Sequence, residues 1–138
     1  MRIFVTGPSC SGKTLFARQW AEADCIHLDH WRDTGEALAR LRAGEERGRA
    51  EGPTIYEGIV SGRASDVEAF LAEIDVVFVL RAPFLLRLAR AVGRDGIGVL
   101  GGFLRNEFHW RTFCRPLIER PRAKPAIREF SWTFEPGS

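Results

Sequence analysis

The sequence predicts an α/β fold with a mostly parallel sheet of four to five strands, in three layers with helices on both faces. Three observations support this prediction. Short apolar runs alternate along the chain with helical patterns, a glycine-rich loop follows the first run, and no repeat or low-complexity linker divides the 138 residues. Strands joined through helices run parallel, because a crossover connection returns the chain to the end of the sheet at which the previous strand began. We therefore expect a single domain over 1–138.

Each predicted strand is a short apolar run bounded by polar or turn-forming residues. RIFVT opens the chain, CIHL and TIYE follow, and DVVFVL contains the longest apolar run. That run is far below the about 20 residues that a membrane-spanning helix needs. The predicted strands are 2–6, 25–28, 54–57 and 75–80, with a fifth at 130–134.

The helices follow from apolar spacing and from residues that begin or end a helix. Ser65 and Glu68 fit a capping box, and apolar residues recur after them at helical spacing. Pro83 suits a first helical turn, whereas Pro116 is expected to end a helix. Several glycines between 93 and 102 predict a flexible stretch. The predicted helices are 14–23, a weaker one over 33–50, one that begins at Ser65 and contains Val67, Phe70, Leu71 and Ile74, one over 83–94, and one over 103–115.

The segment GPSCSGKT matches the phosphate-binding pattern G-x-x-x-x-G-K-[ST] and lies between a predicted strand and a predicted helix. Backbone N–H groups of such a loop turn toward phosphate oxygens, and the helix N-terminus adds partial positive charge. Lys13 would reach the β- and γ-phosphates of ATP, and the Thr14 hydroxyl would hold Mg²⁺. A glycine-rich turn that carries a lysine by chance is the alternative. The candidate ligand-binding residues are Gly7, Pro8, Ser9, Cys10, Ser11, Gly12, Lys13 and Thr14.

Two carboxylates end the second and third predicted strands, on the side where open parallel sheets bind ligands. Asp29 could accept the proton of an acceptor hydroxyl, with Trp31 as a flat wall for the substrate. Glu57 could position Mg²⁺ or substrate, and Arg63 could clamp an anionic or polar acceptor group. Alternatively, Asp29 caps the following helix, and Glu57 simply pairs with Arg63.

Arg87, Arg90 and Arg94 are spaced to share one face of the helix after the fourth strand. Such a stripe, placed before a glycine-rich segment, can close over a transferring phosphoryl group and neutralise its charge. We therefore predict catalytic arginines here and a lid over about 87–115. A solvated charged face is the alternative.

Net charge is only +2, but residues 81–138 carry 11 Lys and Arg against 5 Asp and Glu. This half suits a polyanionic ligand, and its interleaved aromatics are compatible with single-stranded nucleic acid. His109, which lies among them, is interpreted as a packing residue. No charged-then-apolar leader precedes the first strand, which favours a cytoplasmic protein without membrane contact.

The chain has three cysteines without the spacing of a disulfide framework. Cys25, His27 and His30 lie close together in the sequence, as zinc ligands often do. No second Cys/His pair follows at ligand spacing, so they are interpreted as residues flanking a strand.

Over about residues 1–95 the chain resembles the P-loop kinases of small molecules, the nucleoside, nucleoside monophosphate and shikimate kinase group. RIFVTGPSCSGKT, HLDHW, IYEG and FVLRAPFLLRLARAVGRD carry the resemblance. YEGIVSGRASD is most similar to a bacterial branch described as topology modulation or adenylate kinase-like proteins. The resemblance implies a P-loop NTPase fold and transfer of the ATP γ-phosphoryl group. These kinases usually have glycine where this loop has Cys10, and no adenine-binding motif follows Arg94.

We therefore expect an ATP- and Mg²⁺-dependent phosphotransferase that acts on a hydroxyl or phosphate of a small molecule, such as a nucleoside or nucleotide. One alternative is a nucleotide-binding module or slow ATPase that contacts nucleic acid through its basic C-terminal half. Another is a kinase of nucleic-acid 5′ ends.

Overall fold

A computed structural model describes residues 1–12, 25–44, 53–120 and 126–131. They form one five-stranded sheet in which every neighbouring pair of strands is parallel, in the order β2-β3-β1-β4-β5. This confirms the predicted α/β class and parallel sheet. The strands are β1 (Arg2–Thr6), β2 (Cys25–His27), β3 (Thr54–Glu57), β4 (Val76–Arg81) and β5 (Ala126–Ser131).

The described helices lie between these strands along the chain, as the patterns predicted. Two 3₁₀ turns, Leu28–His30 and Ile97–Val99, and a π-helical segment, Trp110–Cys114, complete the described secondary structure. None of the helices in the described ranges is long and apolar enough to cross a membrane. The α-helices are α1 (Thr34–Arg42), α2 (Ala64–Ala72), α3 (Phe84–Asp95), α4 (Leu100–His109) and α5 (Arg115–Glu119).

Both faces of the sheet carry buried apolar side chains, because successive residues of a strand point to opposite faces. On one face, Phe70 of α2 makes edge-to-face contacts with Phe4 and Tyr56 at centroid distances of 5.5 Å. On the other face, Ile3, Val5, Ile55, Phe78 and Leu80 form a second buried cluster. Strands buried on both faces are typical of parallel sheets covered by crossover helices.

The helix that follows β3 keeps its predicted core face but not its predicted cap. Val67, Phe70 and Leu71 are fully buried, as the spacing indicates. However, the N-cap residue is Arg63, which makes no capping side-chain hydrogen bond, so the predicted capping box is wrong. Ser65 lies inside the first turn, and Glu68 pairs with Arg120 rather than with the start of the helix.

The first described helix is shorter than predicted. Asp33 is its N-cap and accepts a hydrogen bond from the backbone N–H of Glu36. The helix ends at Arg42, and Gly44 takes a left-handed φ of 77°, a common way for a helix to end. Residues 45–50 of the predicted helix, and the predicted helix 14–23, lie outside the described residues.

The C-terminal helical region differs most from the prediction. The glycine-rich stretch ends earlier, because Leu100, Gly101 and Gly102 already belong to α4. Pro116 does not end the helical region, which continues to Glu119. It lies in the first turn of α5, where a residue without a backbone N–H is tolerated. The fifth strand begins at Ala126 rather than at 130, and residues 132–134 lie outside the described part.

Candidate functional site

The glycine-rich loop leaves β1, the central strand, between β3 and β4. The next strand after β1 is β2, which lies toward one edge of the sheet, and the next strand after β4 is β5, at the opposite edge. The carboxyl ends of β1 and β4 therefore flank a topological switch point. Open parallel sheets bind ligands at such points. The loop approaches β4 closely: a Cβ atom on Gly7 would lie 2.7 Å from the Leu80 carbonyl oxygen. A side chain there would force β1 and β4 apart, so glycine is required.

The loop backbone takes conformations that glycine favours. Gly12 has φ of 91°, and Cys10 has φ of 60°, which places a residue with a side chain in the left-handed region. The backbone N–H of Ser11 donates to the Pro8 carbonyl at 3.2 Å and closes the turn. The Ser11 hydroxyl is fully buried and has no hydrogen-bond partner among the described residues. Lys13 and Thr14, predicted for phosphate and Mg²⁺, lie outside the described residues.

Two of the three predicted arginines of α3 reach this loop. The Arg90 guanidinium donates to the Cys10 carbonyl oxygen at 3.1 Å. Arg94 lines a cavity together with Ser9 and Cys10. A hydrogen bond to Asp95, aided by the nearby Cys10, raises the pKa of Arg94 above its ordinary value. Both guanidinium groups therefore lie beside the loop.

Arg87, the third predicted arginine, points elsewhere. It is buried and forms a two-pronged ion pair with Glu107 of α4, at 2.5 and 3.0 Å. Its Nε also donates to the Ala82 carbonyl at 2.9 Å. These groups line a second cavity, of about 360 Å³, that also contacts Pro8. Arg87 therefore holds α4 against the start of α3, and the three arginines do not form one stripe toward the loop.

A cavity of about 470 Å³ connects the loop to the carboxyl ends of β2 and β3. It contains three of the four predicted acceptor-side residues, Asp29, Trp31 and Glu57, and it is called the acceptor cavity below. The remaining side chains combine polar and apolar groups, as in many small-molecule sites. The lining residues are Ser9, Cys10, Leu28, Asp29, Trp31, Glu57, Ile59, Ser61, Arg94, Asn106 and His109.

Asp29 lies in the 3₁₀ turn that follows β2 and is exposed to this cavity. It does not cap the next helix, since Asp33 holds that position. Gly58 makes room for it: a Cβ atom on Gly58 would lie 3.3 Å from an Asp29 carboxylate oxygen. The backbone after β3 thus passes directly beside the carboxylate, which stays accessible.

Glu57 is 2% exposed. Its Oε2 atom lies 2.6 Å from Nδ1 of His27, within hydrogen-bond distance. The two residues are register partners on β3 and β2, so the pairing follows from the sheet. The alternative pairing of Glu57 with Arg63 is not seen. Arg63 is exposed and lines a separate cavity with Asp33, Glu36 and Asp66. The structure therefore separates Arg63 from the acceptor cavity.

Sequence reasoning missed two residues that line the cavity, Ser61 and Asn106, which were not singled out. It also missed the contact of His27 with Glu57, because His27 was interpreted only as flanking a strand. His109 was interpreted as a packing residue; it stacks on Phe113 and hydrogen-bonds the Val60 carbonyl at 2.9 Å, but it also faces the cavity. The signal for His27 was available in principle, because it ends a strand as Glu57 does.

Among the described residues, no group of three His, Cys, Asp or Glu side chains is arranged to hold a metal ion. Cys25, His27 and His30 therefore do not form such a group there. The rings of His27 and His30 instead lie against each other, at a centroid distance of 5.4 Å.

No model of a known protein family matches this chain. A comparison with curated proteins also gives no match.

Proposed function

We propose that this chain is a P-loop kinase with a three-layer αβα fold, which binds ATP and Mg²⁺ at residues 7–14 and phosphorylates a small molecule in the acceptor cavity. One observation carries the proposal. The glycine-rich loop after the central strand, Arg94 and the accessible carboxylate of Asp29 share one cavity. Phosphoryl transfer requires mainly positioning and charge stabilisation, and these groups supply both.

The loop is suited to phosphate. Its left-handed residues Cys10 and Gly12 turn the backbone as phosphate-binding loops require, and the buried Ser11 hydroxyl is available as a hydrogen-bond donor. Thr14 and Glu57 are the residues proposed to hold Mg²⁺ or its waters. When bound, Mg²⁺ neutralises charge on the β- and γ-phosphate oxygens.

In the proposed reaction the acceptor hydroxyl oxygen bonds to the γ-phosphorus while the bond from that phosphorus to the bridging oxygen breaks and ADP leaves. Asp29 accepts the hydroxyl proton. Lys13, Arg90 and Arg94 balance the negative charge that spreads over the transferring group. Arg87, held by Glu107, acts on the position of α4 rather than on phosphate.

The test is ADP release from ATP and Mg²⁺ in a coupled spectroscopic assay, against nucleosides, nucleoside monophosphates, small alcohols and oligonucleotides with a free 5′-hydroxyl. We expect one class to stimulate release, and Lys13→Ala to abolish the stimulation. Arg63→Ala is the matched control, because Arg63 lies outside the acceptor cavity, and it should retain activity. ATP binding without stimulation by any class would reject the kinase in favour of a nucleotide-binding module.

The nucleic-acid alternative gains no support from the described part of the basic half. Six of its arginines form ion pairs with carboxylates of the same chain, which lowers the charge available to a phosphate backbone. They are Arg81, Arg87, Arg94, Arg111, Arg115 and Arg120.

A further inference from the structure

We infer that the phosphoryl acceptor is an alcohol that carries no anionic group, and that a protonated amine is the substituent the acceptor cavity favours. This inference rests on the proposed function, since it names the substrate class of the same site. It excludes nucleoside monophosphates and hydroxy acids as acceptors. The sign of the charge at the far end of the cavity, away from the glycine-rich loop, carries it.

Asp29 supplies the first negative charge. It is exposed, lines the cavity, and makes no hydrogen bond or ion pair within the described residues. By contrast, most carboxylates on the described helices or their caps pair with arginine. Those carboxylates are Asp33, Glu36, Glu68, Glu73, Asp95, Glu107 and Glu119.

Glu57 adds a second carboxylate, buried beneath the cavity and held by His27 at 2.6 Å. Among the described residues that line the cavity, the arginine is Arg94, which lies near Cys10 of the loop and pairs with Asp95 at 2.8 Å. The loop end therefore suits the triphosphate. The other end presents carboxylate oxygens, which accept hydrogen bonds from hydroxyl and ammonium groups but repel a second anion.

Two of the described arginines near this end, Arg63 and Arg40, contact other groups. Arg63, predicted as the anion clamp, faces the neighbouring cavity. Arg40 lies with its guanidinium 5.3 Å from the centre of the Trp31 ring and pairs with Glu36 at 3.3 Å. The Trp31 ring thus already contacts a cation, and aromatic faces attract ammonium groups in the same way.

The experiment measures the charge at this end directly, without requiring the true acceptor. Ser61 lines the cavity, so Ser61→Cys provides a reporter thiol, in a chain with Cys10 and Cys25 replaced by serine. Cys114 is fully buried and is kept. Mass spectrometry then measures how fast the reporter thiol is modified by 2-(trimethylammonio)ethyl methanethiosulfonate and by 2-sulfonatoethyl methanethiosulfonate. Each rate is divided by the rate at which the same reagent modifies a free thiol in solution. A second reporter, Asn106→Cys, repeats the measurement if the first variant does not fold.

We expect the cationic reagent to be favoured by about tenfold over the anionic one after normalisation, the scale of one nearby charge. Asp29→Asn should remove most of that preference, and the matched control Asp66→Asn, outside the cavity, should keep it. A preference for the anionic reagent, or a ratio insensitive to Asp29→Asn, would overturn the inference.

The ADP-release assay provides the second arm, with 3-amino-1,2-propanediol, glycerol and glycerol 3-phosphate as one matched set, and adenosine against AMP as another. Stimulation by a phosphorylated member above its uncharged partner would overturn the inference while supporting the kinase. If no acceptor stimulates ADP release, the kinase fails, whereas the reporter ratio still decides the sign of the charge. The two failures are therefore distinguishable.

Discussion

Cys10 has a φ of 60°, in the left-handed region of backbone conformation that glycine adopts more readily than a residue with a side chain. A residue with a side chain in the left-handed region loses about 1–2 kcal/mol, whereas glycine loses about 0.5–1 kcal/mol of chain entropy. We expect Cys10→Gly to leave the free energy of unfolding unchanged or to raise it by up to about 1 kcal/mol. Denaturant unfolding measures this, with Cys10→Ala as the control that keeps the strain. A clear loss of stability in Cys10→Gly would show that the thiol contributes packing that outweighs the strain.

Asp29 is accessible and lies in the acceptor cavity, so its replacement should affect chemistry rather than folding. Under the proposed function, Asp29→Asn lowers acceptor-dependent ADP release by about 10²-fold or more, in line with the contribution of a general base. ATP affinity, measured by calorimetry, should change little. If affinity falls as much as turnover, then Asp29 serves the metal ion or the nucleotide instead of the acceptor.

At the scale of elements, the buried pair of Arg87 and Glu107 joins α3 to α4. Removing one member leaves the other charge buried, which typically costs about 3–5 kcal/mol. We expect Glu107→Gln to destabilise the fold by roughly that amount in denaturant unfolding. Glu119→Gln is the control, since its partners Arg81 and Arg115 are about half exposed and such pairs contribute at most about 1 kcal/mol. Equal losses in both variants would contradict the assignment.

The same pair predicts a pH dependence. Hydrogen bonding from Arg87, followed by that from Arg111, holds the pKa of Glu107 below its ordinary value of 4.5, although burial acts in the opposite direction. A lowered folded-state pKa means that the unfolded chain binds the proton more readily. The stabilisation is therefore complete above about pH 4.5 and is lost as the pH falls through the lowered pKa. Below about pH 4.5, the free energy of unfolding should therefore fall less steeply with decreasing pH in Glu107→Gln than in the unsubstituted chain. The same pH dependence in both proteins would contradict this.

Element types were largely predictable because the strands here are short apolar runs and the buried helix faces repeat at helical spacing. Local signals failed where two readings compete. Ser65 and Glu68 satisfy a capping pattern, but the chain turns into the helix two residues earlier, after Arg63. A proline can end a helix or occupy the first turn of one, and Pro116 does the second. The π-helical segment Trp110–Cys114 before it has no sequence signature.

At the scale of the whole molecule, the sequence indicated part of the candidate site. Asp29 and Glu57 were found because each ends an apolar strand. The pairing of Glu57 with His27 required the order of strands, which places β2 beside β3 and is not contained in any local pattern. Arg63, predicted from its place shortly after Glu57, and Arg87, predicted from helical spacing, both face other cavities. Neither pattern specifies the element that a side chain meets.

The sheet and the loop are coupled through Gly7, and this coupling yields a prediction about the entire fold. Under the proposed function, ATP with Mg²⁺ at 100 times its Kd stabilises the chain by about 2.7 kcal/mol, because it binds only the folded state. Gly7→Ala would bring a Cβ atom to 2.7 Å from the Leu80 carbonyl oxygen, so β1 and β4 must separate. We expect this variant to have a lower Tm without ligand and a smaller upward shift with ATP. Gly93→Ala, where a Cβ atom meets open space, is the control and should keep the full shift. If Gly7→Ala also keeps it, the loop does not hold the nucleotide. Close packing of β1 against β4 would then be the whole reason for a glycine at this position.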